Sequence, residues 1–281
     1  MITIFTICKP FTGHNHLIQY NAIKSWTLLK PRPQIILFGD EPGTNNIAGQ
    51  LGVQHIPSLN CNQNGTPLLD DAFTQAHKLS ENDILVYVNA DIIFFNDIVS
   101  AIAQVRLSFF KQFLIIGRRT NYSLDKVINF ENRDWEVQLR SRVAKKGLLA
   151  TAVCKDFFVF PKPLYAEIPK FTVGRGHWDN WMVYQAHQLK IPVIDATAAV
   201  KAIHQNHDYA HLDGGGVESV LGEEAKQNAK LGGGMNLIYG SASNWQLTSQ
   251  GLKRKRLPAF ISFLVDLPRF LQLLRYLFSL R

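Results

Sequence analysis

The chain has 281 residues, 46% of them hydrophobic and 19% charged, with a formal net charge of +8. That length suits one sizeable α/β domain or two small ones, and the composition excludes a disordered or low-complexity chain. Residues 253–281 hold seven basic side chains against one acid, Asp266, and so supply +6 of the +8; the body is near neutral, which argues against a nucleic-acid-binding body.

Cys8, Cys61 and Cys154 are odd in number and lack metal-ligand spacing; they read as reduced thiols of a cytoplasmic protein. The amino terminus, Met1-Ile2-Thr3-Ile4-Phe5-Thr6-Ile7, has no basic region or signal-length apolar run and reads as a first strand, which disfavours secretion.

Residues 2–8 are expected as that strand, with Lys9-Pro10-Phe11-Thr12-Gly13 as the loop after it. A helix is expected over 16–29, where Leu17, Ala22, Ile23, Trp26 and Leu29 recur at helical spacing before Pro31. A strand over 34–38 runs into Gly39-Asp40-Glu41. A short helix over 47–51, a strand over 52–56 and a helix over 68–79 follow, the last preceded by Asn64-Gly65-Thr66-Pro67. Next come a strand ending at Asp91, a strand over 113–117, a polar loop through Tyr122 and a helix over 135–144. A strand over 152–160 is interrupted by Cys154-Lys155-Asp156, and a helix over 178–189, a strand over 193–195 and a histidine-rich loop close the series. Strands alternating with helices at this rhythm predict a mainly parallel, wound sheet.

Leu85-Val86-Tyr87-Val88-Asn89-Ala90-Asp91-Ile92-Ile93-Phe94 is an apolar run that stops on a carboxylate and resumes. Open α/β sheets bind ligands at strand C-termini, and a lone buried carboxylate is costly unless paired. A divalent metal would pair Asp91; a turn or helix cap is the alternative. Gly174-Arg175-Gly176-His177-Trp178-Asp179 puts an acid at a helix start, either as a cap or as a general base within reach of an acceptor hydroxyl. His204, His207 and His211 lie with Asp208 in eight residues. They point to a metal or phosphate site, without the spacing of a zinc finger or metalloprotease. The amides around Thr66 could face a diphosphate, or form a plain loop and cap.

Asn89-Ala90-Asp91, the Gly147-Leu148-Leu149 stretch before Asp156, Trp178-Asp179 and the late histidines occur in an order that resembles bacterial, family-two-like GT-A glycosyltransferases. The resemblance covers about residues 1–250. It implies a Rossmann-like α/β fold whose mainly parallel sheet is flanked by helices, and a metal, Mg or Mn, on Asp91 with His204 or His207. A nucleotide-sugar donor, UDP-linked by expectation, would contact Lys9, Asp40, Thr66, Asn89, Asp91 and His207. Asp179 is implied as base, and Asp156 as a partner of donor or acceptor hydroxyls, with an ion pair to Lys155 or Lys162 as its alternative. Asparagine at 89 departs from the Asp-any-Asp pattern and weakens one metal or ribose contact.

The expected organisation is a transferase domain over 1–250 and a basic amphipathic tail over 251–281. Pro258 and Pro268 interrupt the tail's leucines and phenylalanines, and its apolar runs are shorter than a spanning helix needs. The reading is a cytoplasmic enzyme, peripheral on the inner membrane face through this tail, that transfers a sugar to a glycan or lipid-linked acceptor. A C-terminal helix packed on the body or on a second subunit is the alternative for the tail. The alternatives for function are a metal-dependent hydrolase built on residues 204–211 and a non-catalytic carbohydrate-binding or scaffold protein.

Overall fold

A computed structural model of the chain describes residues 1–152, 154–207, 215–233 and 242–255. Its centre is made of strands buried along nearly their whole length, because helices cover both faces. β1 (Thr3–Ile7) and β4 (Ile84–Val88) are buried at every position, and β2 (Gln34–Phe38) at four of five. Side chains alternate between layers, so Ile4 packs with one cluster and Phe5 with the other. One layer holds α1 (Gly13–Thr27), α2 (Thr44–Leu51) and α4 (Asp97–Arg106). The other holds α3 (Leu69–Leu79) and α6 (Trp178–Gln188). In that second layer Phe5 meets Phe73 edge-on at 5.0 Å, and Phe73 stacks on Phe160 at 5.8 Å. Truncating Phe73, which is fully buried, would cost about 3–5 kcal/mol.

The remaining strands are β3 (Gln54–Ile56), β5 (Ile92–Ile93), β6 (Leu114–Tyr122), β7 (Leu148–Leu149), β8 (Lys155–Pro161), β9 (Val193–Asp195), β10 (Ala202–Gln205), β11 (Trp245–Thr248) and β12 (Gly251–Arg254). The sheet order is β12-β11-β9-β6-β8-β4-β1-β2-β3. β3, β2, β1 and β4 are mutually parallel, as are β6, β9 and β11, while β8 runs antiparallel between β4 and β6. The sheet is therefore mainly parallel, α/β and flanked by helices. α5 (Trp135–Lys146), α7 (Gly215–Leu221) and α8 (Glu223–Leu231) complete the described helices.

β6 is longer than its expected 113–117. Its register shifts at Gly117, where an added Cβ would lie 2.7 Å from the Phe157 ring. Only glycine allows this approach, and beyond the bulge the strand continues to Tyr122. That extension pairs with β10 in parallel and with β7 in antiparallel, so part of the expected histidine loop is a strand. The expected boundary at 250 also moves. Residues 251–254 form the edge strand β12, paired antiparallel to β11, and Lys255 Nζ donates to Asp195 Oδ2 at 3.0 Å. Residues 256–281 of the expected tail lie outside the described residues. Among the described residues no helix is long and apolar enough to cross a membrane.

Candidate functional site

β4 ends at Val88, and Ile92 N–H closes a turn on the Asn89 carbonyl at 3.2 Å. Asp91 therefore sits at the C-terminal edge of the parallel strands, where sheets of this kind bind ligands. Gln205, buried at the end of β10, fixes its backbone: the Gln205 N–H donates to the Asp91 carbonyl at 3.3 Å and its Nε2 at 3.0 Å. Gln205 is itself held by Asn21 and by the Ile18 carbonyl of α1. This clamp brings the histidines to Asp91. His207 Nε2 lies 3.0 Å and His204 Nε2 3.6 Å from Asp91 Oδ2.

The three ligand atoms lie within 4.8 Å of one another. Asp91 is 9% exposed, and its Oδ1 and the His204 Nδ1 are buried without a hydrogen-bond partner. A buried carboxylate with two imidazoles on one oxygen and no partner on the other fits a divalent metal. Burial alone would push the Asp91 carboxyl up, but His204, His207 and Lys9 outweigh it and hold the carboxyl well below the usual range. Burial pushes the His204 imidazole down, against the pull of Asp91, which favours the neutral, ligating form. Two imidazoles beside one carboxylate suit a first-row transition ion, and Mn, which accepts carboxylate, suits this mixed set better than Mg, which prefers oxygen ligands throughout. Asp208 and His211, the rest of the expected cluster, lie outside the described residues.

Asp156, on β8, is 5% exposed and fully partnered. Arg119 Nη1 contacts both of its oxygens, at 2.8 and 2.9 Å, and Asn89 Nδ2 donates to Oδ1 at 2.7 Å. The ion pair expected with Lys155 or Lys162 is thus made by Arg119, because β6 and β8 pair directly and set Arg119 beside Asp156. Lys162 instead donates to the Ser80 carbonyl at 2.8 Å. Asn89 does the work of a donor at this position, where a second carboxylate would repel Asp156.

Asp179 lies in the first turn of α6, half-buried. The left-handed residues before the helix are Gly174 and His177, at φ +69 and +83. The sharp turn at the helix start therefore falls on a histidine, whose left-handed backbone is strained. Burial pushes the Asp179 carboxyl up, partly offset by Lys155 and by the Asn180 N–H. Lys155 is buried, reaches Asn180 Oδ1 at 3.4 Å, and feels Asp179, Asp156 and Asp195. His204 in turn feels Arg119 and Asp156. Asp91, His204, His207, Asn89, Asp156 and Asp179 are thus linked in one electrostatic neighbourhood.

Lys9 follows β1, its backbone held at both ends by the buried Gln19 amide, at 2.7 and 2.9 Å. Asp40 is exposed after β2. Thr66 is a correction. The amides of Asn64 and Thr66 are taken by Asn62 Oδ1 at 2.9 and 3.0 Å, and the Thr66 hydroxyl donates to Glu224 at 3.0 Å. No amide of Asn64, Gly65 or Thr66 is left for a diphosphate, since Gly65 N–H goes to the Asn62 carbonyl. Sequence reasoning missed Arg119 and Gln205; the one local signal for Gln205 is a glutamine closing the apolar Ala202-Ile203 stretch.

No protein-family model and no curated protein matches this sequence. Solved structures do. The chain is similar to a crystal structure of a mycobacterial protein, 14% identical over 83% of this chain and 75% of that one, at a TM-score of 0.49. It is similar to glucosyl-3-phosphoglycerate synthase from Mycobacterium tuberculosis in complex with Mg2+ and UDP, 11% identical over 83% and 79% of the two chains, at 0.46. It is also similar to a mannosyltransferase from Pyrobaculum calidifontis in complex with GDP-Man and Mn2+, 14% identical over 72% and 56%, at 0.43.

Proposed function

We propose that this chain is a metal-assisted glycosyltransferase that moves a sugar from a nucleoside-diphosphate sugar, UDP-linked in the first instance, to a hydroxyl of a glycan or lipid-linked acceptor. The observation that supports it is the buried Asp91 carboxylate, set with His204 and His207 at the C-terminal edge of parallel strands and with one oxygen unmatched. These three side chains would hold Mn, which when bound neutralises charge developing on the leaving diphosphate. Lys9 and Asp40, on the loops after β1 and β2, line the nucleotide side of this edge in the proposal. Asp179 takes the acceptor proton, its carboxyl made more basic by burial. Asp156 positions Arg119 and Asn89 rather than touching the sugar.

Asn89 gives no ground for a non-catalytic scaffold, since its amide serves Asp156. A hydrolase needs more acids at the histidines, and among the described residues the metal-capable group contains Asp91 alone. The proposal extends to location: the basic, leucine- and phenylalanine-rich sequence of residues 256–281 would bring the enzyme to an anionic membrane on its cytoplasmic face. Sedimentation with phosphatidylserine vesicles tests the location. A panel of nucleotide-sugars scored for nucleoside diphosphate release, with Mn and with and without glycan acceptors, tests the activity. Release stimulated by one donor and one acceptor class is expected. No release from any donor, with Mn bound, would overturn the reading.

A further inference from the structure

Leu107 and Phe109, in the turn between α4 and β6, are 89% and 79% exposed. The Phe109 ring lies 4.3 Å from Phe110, and the two rings lie 6.1 and 5.0 Å from Trp245, the first residue of β11. Trp245 stands opposite Arg254 of β12, and directly opposed residues share a sheet face. Arg106, Lys111 and Arg254, on the segments that carry these rings, are exposed, and none of the three enters an ion pair among the described residues. No Asp or Glu occurs in residues 98–113 or 242–255. The sequence beyond Lys255 starts at this same edge and carries four more arginines and a single acid.

We infer that this face of the folded body docks on an anionic phospholipid bilayer. An apolar tip on segments that carry cations and no carboxylate complements a surface that is anionic outside and apolar beneath. Leu107 and Phe109 enter the acyl boundary while the basic side chains meet headgroups. The inference rests on the membrane reading above, and adds that the body, not residues 256–281 alone, makes the contact. It also orients the enzyme. β6 starts beside the patch at Leu114 and reaches Asn121, the position beside His204, roughly 23 Å further along. The metal edge then points to water, toward the distal end of an acceptor rather than its lipid.

The test compares the full chain with its Leu107→Glu/Phe109→Glu and Arg106→Gln/Lys111→Gln forms, sedimented with phosphatidylcholine vesicles with and without phosphatidylserine. All four side chains are exposed, so melting temperatures should match the parent. The apolar pair is expected to weaken binding at least roughly tenfold, and each lost cation about fivefold. A Phe109→Trp form should be quenched by brominated acyl chains beyond the parent protein. Full-chain binding that is absent, or equal with and without phosphatidylserine, overturns the membrane reading together with this one. Substituted proteins that bind like the parent, or Phe109→Trp quenched no more than it, overturn this face alone. Displacement of the vesicles by a single-stranded oligonucleotide would reassign the patch to nucleic acid.

Discussion

Asp91 and Asp156 are both nearly inaccessible, 9% and 5% exposed, and both lie at the same edge of the sheet. They are solved in opposite ways. Asp156 spends both oxygens on Arg119 and receives a third bond from Asn89. Asp91 has two imidazoles near one oxygen and nothing on the other. Burial of a carboxylate therefore does not mark a site; the marker is a buried oxygen whose neighbours are themselves metal ligands. A carboxylate saturated by a guanidinium is architecture, because its partner would be stranded without it.

The sharpest way to break this contrast is Asp91→Ala. Loss of Mn binding by calorimetry and of all detectable transfer is expected, with a melting temperature near that of the parent without metal, since the Gln205 clamp holds the backbone of residue 91 and survives the change. Mn affinity retained in Asp91→Ala would move the metal elsewhere.

A third carboxylate, Asp179, sharpens the distinction between binding and chemistry. Asp179→Asn is expected to lower turnover by roughly 10²–10⁴ and to leave donor affinity intact. Because burial raises this carboxyl in the folded state, ionising it costs more in the fold than in the unfolded chain, and stability is lost as pH rises through the folded value. Turnover should rise along that same limb, and the asparagine form should melt slightly higher at neutral pH. A turnover profile unchanged by the substitution would make Asp179 a cap.

Asp156→Ala should do the reverse of Asp91→Ala. It strands Arg119, whose side chain is 18% exposed, at a cost of about 3–5 kcal/mol, while the purified protein keeps its Mn affinity. Replacing Arg119 and Asp156 together by methionine and leucine should recover much of that stability. Urea unfolding and Mn titration of the same samples separate the two effects.

The smallest expected effect comes from Asn89→Asp, which restores the acid that the resemblance calls for. Here it removes a donor 2.7 Å from Asp156 and adds a like charge, and should cost about 1–3 kcal/mol without tightening Mn. Tighter Mn binding in this variant would show that residue 89 faces the metal.

Much of the frame was legible before any fold was known. The strands over 34–38 and 193–195 are found at the expected positions, and the helices at 135 and 178 start where expected, because apolar periodicity and helix starts are local properties. β5 and α4 were missed: two residues are too short to show a strand period, and the Asn96-Asp97 start of α4 was not read as a helix start. The tail boundary failed for a different reason. Lys253 and Arg254 look like solvent-exposed charges in sequence, yet β11 offers their backbone an open sheet edge.

The sequence by itself determined an α/β sheet with a carboxylate at the end of an apolar strand and histidines late in the chain, since burying an unpaired charge is forbidden wherever the strand goes. Which carboxylate is left needing a partner was decided only by tertiary structure. Arg119 reaches Asp156 across 37 residues, and His207 reaches Asp91 across 116. Strand register and the Gly117 bulge set those meetings, and no local pattern records the register of strands so far apart.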